Sequence, residues 1–147
     1  MNPYERNLAV LKLKFPAVYD WLCKEADDPH IEVVATPQGV NNLRVQRPTG
    51  ESFYLYGEDP LGKEKERCQD MEFPAGNVSF LIGLGLGYFL EAIKERIKRG
   101  HKIIVFEKSA SIMKKALGQI DLIRLLEEDS LIFSLPDEAK RSRSCGG

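Results

Sequence analysis

The sequence predicts an α/β fold in which a small helical part and an antiparallel β-meander precede an incomplete Rossmann-like parallel half-sheet. An apolar run at Phe80–Ile82 leads directly into three alternating glycines, Gly83, Gly85 and Gly87. A segment with helical periodicity follows, and a second apolar run ends on Glu107, 24 positions after Gly83. The order of strand, glycine turn, helix, strand and acid is typical of the nucleotide crevice of an open α/β sheet.

The N-terminal half predicts two helices and then three short strands. Residues 3–25 show helical periodicity in two pieces, and Pro16 suits the first turn of the second helix. Two Pro/Gly turns separate three β-type runs, which predicts an antiparallel meander. The strands of this meander are expected at 31–35, 40–46 and 52–56. Residues 58–72 are polar with helical content, and we place a domain boundary after the turn that ends at Gly76.

The C-terminal half has a β-α-β-α-β pattern. Strands are expected at 79–83, 102–107 and 131–135, and helices at about 87–99, from 109 or 111 to 117, and at 121–128. We therefore assign 1–76 to the helical and antiparallel part, 77–138 to a Rossmann-like βαβαβ unit, and 139–147 to a disordered tail or truncation end. Three parallel strands leave an open, partly apolar edge that the meander, a partner or further polypeptide must cover. Of these alternatives we favour a fragment of a longer protein.

The composition is that of a soluble globular domain, with 147 residues, 43% hydrophobic and 29% charged. The formal net charge is −1, and no apolar run is long enough to span a bilayer, so we expect neither nucleic acid nor a membrane as partner. The three cysteines, Cys23, Cys68 and Cys145, are widely spaced, which argues against a disulfide framework or a metal site and favours the cytoplasm. His30 and His101 are expected to be surface or boundary residues.

The glycine loop allows two interpretations. Its backbone N–H groups could approach a phosphate or carboxylate while Glu107 accepts ribose hydroxyls, or the glycines could simply permit tight strand-to-helix packing. Gly85 should not tolerate a β-carbon, for conformational or close-approach reasons, and if it has a positive φ, alanine there is expected to cost about 1 kcal/mol or more. Asp137, just past the third strand, is a further candidate for contact with a base.

The spacing of the glycines narrows the type of cofactor. The third glycine of the dinucleotide fingerprint GxGxxG falls on Tyr88, so that fingerprint is not met. The spacing GxGxG instead resembles the first motif of S-adenosylmethionine-dependent methyltransferases. In those enzymes a carboxylate usually stands two residues before the first glycine, where this sequence has Leu81. No nucleophile–base pair or paired-carboxylate spacing marks a catalytic residue.

Several segments together resemble one family, the bacterial motility accessory factor glycosyltransferases. The matching segments are Tyr4–Leu8 with Pro16, the meander glycines Gly39 and Gly50, Tyr56–Pro60, Gly83–Tyr88 and Val105–Glu107. The resemblance covers about residues 3–138 and corresponds to the N-terminal domain of that family. The resemblance implies that, in the family, this N-terminal domain is followed by a central domain related to 6-hydroxymethylpterin diphosphokinase. That domain is taken to transfer a nonulosonic acid from its CMP-activated form to serine or threonine of flagellin.

The resemblance implies a binding unit and carries over no catalytic residue. The unit consists of Gly83, Gly85, Gly87, Tyr88 and Glu107. The candidate ligands are a CMP-activated sugar and, from the GxGxG spacing, S-adenosylmethionine as the alternative. Flagellin is the implied acceptor and a C-terminal catalytic domain the implied partner, so the isolated chain should be inactive. Three hypotheses remain open: a glycosyltransferase module, a methyltransferase-like fragment, and a non-catalytic scaffold whose glycine turn is structural.

Overall fold

A computed structural model describes residues 2–136 of the chain. Its elements are α1 (Pro3–Lys14), α2 (Pro16–Lys24), β1 (Ile31–Ala35), β2 (Asn41–Gln46), β3 (Ser52–Tyr54), α3 (Pro60–Cys68), β4 (Val78–Ile82), α4 (Tyr88–Ile93), β5 (Lys102–Phe106), α5 (Ala110–Gln119), α6 (Ile123–Glu127) and β6 (Leu131–Ser134). The predicted α/β class is confirmed. Asp137 and the segment 139–147 lie outside the described residues.

The parallel sheet has the strand order β4-β5-β6, as the β-α-β-α-β pattern predicts. Its register places Phe80 beside Ile104 and Ile104 beside Ile132. Because side chains alternate along a strand, one face of the sheet carries Ile103 and Val105, which are fully buried in the core. The opposite face carries Phe80, Ile104 and Ile132.

The core extends from the N-terminal helices to the parallel sheet. Leu11 and Leu22, on α1 and α2, belong to the same buried cluster as Met113 and Leu117 on α5. The helices α1 and α2 pack against α5, and α1 also packs against α6. The boundary that we placed after Gly76 therefore lies in the turn before β4, and the hydrophobic core is continuous across it.

The antiparallel meander, β1-β2-β3, packs on the glycine loop and leaves the outer face of the parallel sheet uncovered. Leu43 from β2 forms a small second core with Leu86 and Tyr88. On the outer face of the sheet, Phe80 is 64% exposed and Ile82 is 77% exposed. The meander forms a sheet of its own, so it does not pair with the open edge of the parallel sheet that it could have covered.

Helix α4 ends at Ile93, although we predicted a helix to about Arg99. Tertiary contacts redirect the chain. The Arg96 guanidinium donates to the carbonyl oxygens of Cys68 (2.8 Å) and Met71, just beyond the preceding helix. The Lys98 N–H donates to the carbonyl of Phe73 at 3.1 Å. These bonds tie the chain after α4 to the last residue of α3 and to the segment that follows α3.

Two further predictions concern His101 and membrane spanning. His101 is 1% exposed, and its ring nitrogens lie 2.9 Å from the Pro74 carbonyl and 2.8 Å from the Ser79 hydroxyl. It is therefore a buried structural residue at the start of β5, while His30 is exposed as expected. Among the described residues, none of the helices is both long enough and apolar enough to cross a membrane.

Candidate functional site at the glycine loop

The glycine loop, residues 83–87, joins β4 to α4 at the carboxyl edge of the parallel sheet. All three glycines have positive φ, with values of 82° at Gly83, 58° at Gly85 and 86° at Gly87, so the condition of the prediction for Gly85→Ala is met. The Gly83 N–H donates to the carbonyl of Phe106 at 2.8 Å, which continues the pairing of β4 with β5. The Gly87 N–H donates to the carbonyl of Leu84 at 3.0 Å and closes the turn.

Glu107 lies directly after β5 with its side chain facing the glycine loop, as we expected. Its carboxylate is buried, and Oε1 accepts the N–H of Leu84 at 2.8 Å. The other oxygen, Oε2, accepts the N–H of Ser109 at 3.0 Å, and the Ser109 hydroxyl in turn caps α5. Glu107 therefore ties the glycine loop to the first turn of α5.

A residue outside the predicted site, Tyr56, holds the centre of the loop. Its hydroxyl oxygen accepts the N–H of Leu86 at 2.8 Å, and burial raises the pKa of this hydroxyl. A Cβ added to Gly85 would overlap the hydroxyl oxygen of Tyr56 and lie 3.2 Å from its Cζ. Gly85 therefore leaves room for a side chain of the protein at a position where nucleotide-binding loops admit a phosphate.

Asn42 fixes the backbone of Tyr56 so that the Tyr56 side chain reaches the glycine loop. The Asn42 side-chain amide donates to the carbonyl of Tyr56 at 2.8 Å, and its oxygen accepts the N–H of Tyr56 at 3.1 Å. The same oxygen accepts the N–H of Leu43 at 2.8 Å. These bonds replace strand pairing, so β3 ends at Tyr54 and not at residue 56 as predicted.

Gly87 and Tyr88, the two remaining residues of the predicted site, also lie against other parts of the protein. A Cβ on Gly87 would lie 2.9 Å from Cγ2 of Ile120, which follows α5. The Tyr88 hydroxyl donates to the carbonyl of Asn41 at 2.6 Å, and its ring meets that of Tyr56 edge-on at 5.0 Å. Burial raises the pKa of Tyr88 too, so both phenols stay protonated at neutral pH. Gly87 and Tyr88 therefore join the loop to α5 and to the meander.

A crevice of about 400 Å³ lies beside the loop, at the carboxyl ends of the three parallel strands. Its lining residues are Ile82, Gly83, Phe106, Glu107, Lys108, Ser134, Leu135 and Pro136. Gly83 and Glu107 are the predicted site residues that border it. This is the edge at which open α/β sheets bind ligands. Within residues 2–136, no three side chains of His, Cys, Asp or Glu are grouped so as to hold a metal ion.

No protein-family model and no curated protein matches the sequence. Among solved structures, a Maf glycosyltransferase from Magnetospirillum magneticum AMB-1 aligns with 97% of this chain at a TM-score of 0.67. The chain has the fold of part of a Maf glycosyltransferase. The sequence identity is 16%, and the chain spans 29% of the Maf protein's length. The resemblance to the motility accessory factor family is thus confirmed at the level of the fold.

A second solved structure is much less similar. Aeropyrum pernix fibrillarin, in complex with natively bound S-adenosyl-L-methionine, aligns with 76% of this chain and 54% of its own. The TM-score is 0.34 at 14% identity, which is too low to support a methyltransferase-like fold over the Maf fold.

Proposed function

We propose that this chain is the N-terminal module of a motility-associated protein glycosyltransferase and that its own role is structural. The enzyme would transfer a nonulosonic acid from its CMP-activated form to serine or threonine of flagellin. The alignment of 97% of the chain with a Maf glycosyltransferase supports the assignment. In such an enzyme the catalytic groups would lie in the remainder of the polypeptide.

The internal hydrogen bonds of the glycine loop support the structural role. Its amides at Leu84 and Leu86 donate to Glu107 and to Tyr56. The loop therefore holds the meander, the parallel sheet and α5 in one arrangement. A module braced in this way can present a fixed surface to a catalytic region without binding a nucleotide at the loop itself.

The gene beyond codon 147 provides the most direct test of this proposal. We expect the reading frame to continue into a domain related to 6-hydroxymethylpterin diphosphokinase. The purified 147-residue chain should transfer no sugar from CMP-activated nonulosonic acids to flagellin, with a complete Maf enzyme as positive control. A stop codon directly after Gly147, or transfer by the isolated chain above background, would contradict the proposal.

A nucleotide-type ligand in the crevice at the carboxyl ends of the strands is the second candidate function. The crevice of about 400 Å³ is its support, because it borders Gly83 and Glu107 at the ligand-binding edge of the sheet. A CMP-activated sugar is the ligand that this reading proposes. S-adenosylmethionine is the less favoured ligand, because Leu81 stands where methyltransferases usually have a carboxylate.

Substituting Glu107 separates the two candidates. In the structural role, Glu107→Ala should lower the free energy of unfolding by about 2 kcal/mol without any nucleotide, because two buried N–H groups lose a charged acceptor. Glu107→Gln, which retains one acceptor oxygen, should lose less. Urea denaturation measures both effects, and calorimetric titration of the wild type with CMP and with S-adenosylmethionine measures binding. CMP binding that Glu107→Ala weakens at least tenfold, with unchanged stability, would favour the nucleotide site.

A further inference from the structure

A pocket of about 650 Å³ lies between the meander and the segment that leads into α3, and we call it the meander pocket. Its lining includes two tyrosines, two prolines, three residues with amide side chains and two with carboxylates. It shares no lining residue with the crevice beside the glycine loop. Residues 56–60, which belong to the family resemblance, form one wall. The volume lies within the range of small-molecule sites, about 300–1,000 Å³.

Hydrogen bonds within the protein fix the walls of the meander pocket. The N–H and the hydroxyl of Thr36 both donate to the carbonyl of Val40, at 3.0 and 2.7 Å, and close the turn between β1 and β2. Asn42 holds the backbone of Tyr56 on the opposite side. The Asp59 carboxylate caps α3. The pocket is therefore formed before a ligand enters, which lowers the cost of ordering on binding.

Tyr54 provides an accessible aromatic ring at this pocket. It pairs with Arg44 across β2 and β3, while the neighbouring Leu43 is buried against the glycine loop. Because side chains alternate along a strand, Tyr54 lies on the face of the meander that points away from that loop. Tyr54 is 56% exposed. Its ring therefore offers a flat apolar surface that ends in a hydroxyl group.

The charge of the meander pocket excludes an anionic ligand. Glu58 and Asp59 belong to its lining, and none of the described residues that line it is lysine, arginine or histidine. Arg44 lies beside Tyr54, but it forms an ion pair with Glu32 on the neighbouring strand. A CMP-activated sugar or another nucleotide would bring like charges together with no cation in the lining to offset them.

The polar groups of the lining favour hydroxyl groups over an amine. The Asp59 carboxylate already accepts an N–H of α3, and Glu58 is exposed, so a cation would gain only a pair screened by water. Gln38, exposed in the turn between β1 and β2, adds an amide donor that an ammonium group cannot accept. Hydroxyl groups donate to a carboxylate and also accept from an amide.

We propose that the meander pocket binds a neutral, polyhydroxylated ligand of the sugar type. The C–H face of the sugar ring stacks on Tyr54, and its hydroxyl groups bind Gln38 and Glu58. One accessible ring and a few hydrogen bonds open to water make this a weak site, with a dissociation constant on the order of 1 mM. The inference does not depend on the glycosyltransferase role or on a ligand at the glycine loop.

Titration of the ¹⁵N-labelled 147-residue chain with sugars, followed by amide chemical shifts, tests the proposal. The probes are glucose, galactose and N-acetylglucosamine, with glucuronate as an anionic relative and glucosamine as a cationic one. At least one neutral sugar should shift the amides of residues 36–42 and 54–60 to saturation, and glucuronate should not. Absence of a saturable shift with all three neutral sugars, or binding of glucosamine alone, would overturn the proposal.

Three variants test the assigned contacts. Tyr54→Ala should weaken binding of the neutral sugar about tenfold, because the apolar platform is lost. Phe53→Ala is the matched control, since Phe53 is the adjacent residue on the opposite face of β3, and it should bind like the wild type. Glu58→Gln should bind the neutral sugar nearly as well, because an amide also bonds hydroxyl groups. Unchanged affinity in Tyr54→Ala, or an equal loss in Phe53→Ala, would contradict the assignment.

Discussion

Replacing Asn7 by alanine should lower the free energy of unfolding by about 3 kcal/mol, because three buried backbone groups lose their partners. Asn7 is fully buried on α1, and its amide donates to the carbonyls of Leu117 (2.9 Å) and Ile120 (2.7 Å) at the end of α5. Its oxygen accepts the N–H of Leu122 at 3.0 Å. One side chain thus satisfies the turn between α5 and α6 and fixes α1 to both.

Asn2→Ala provides a matched control on the same helix. Asn2 caps α1 by accepting the N–H of Glu5 at 2.9 Å, but this bond is exposed to water. Its loss should cost about 1 kcal/mol. Urea denaturation followed by circular dichroism measures both variants. If Asn7→Ala were no more destabilising than Asn2→Ala, the buried hydrogen bonds of Asn7 would not contribute as described.

Replacing Gly85 by alanine should lower the free energy of unfolding by about 2–3 kcal/mol. Adoption of a φ of 58° by alanine costs about 1 kcal/mol, and displacement of the Tyr56 hydroxyl from Leu86 adds about 1–2 kcal/mol. The expectation from the sequence was a cost of about 1 kcal/mol or more, and the contact with Tyr56 is the part that the structure adds. Gly83→Ala is the control, because Gly83 also has a positive φ but no atom lies within 4 Å of an added Cβ. It should cost only about 1 kcal/mol.

The features that could be predicted from the sequence are those that local patterns determine. Strand, glycine turn and helix follow each other within a few residues, so the position of the loop and the placement of Glu107 after β5 could be inferred. The partners of the loop could not, because the bond from Leu86 to Tyr56 spans 30 positions. Asn7 reaches atoms 110 to 115 positions away, and nothing in its neighbourhood distinguishes it from an exposed helical asparagine.

Two features that the local sequence pattern did not determine have the same origin. The periodicity after the glycine loop favours a helix to Arg99, but Arg96 bonds to carbonyls beyond α3 and the helix ends early. The meander was a possible cover for the parallel sheet, yet the Asn42 side chain directs Tyr56 to the loop and holds the meander there. In both cases several hydrogen bonds between residues distant in the sequence outweigh the local pattern.

The central claim is that Gly85 is a glycine because the Tyr56 hydroxyl occupies the space beside it. A double-mutant cycle of Gly85→Ala and Tyr56→Phe, measured by urea denaturation, tests this most directly. In the Tyr56→Phe background, Gly85→Ala should cost only about 1 kcal/mol, because the oxygen that an added Cβ overlaps is absent. The expected coupling is therefore about 1–2 kcal/mol, the part of the cost that the Tyr56 hydroxyl contributes. Losses that add to within about 0.5 kcal/mol would contradict the claim, because the glycine would then serve a purpose other than admitting Tyr56.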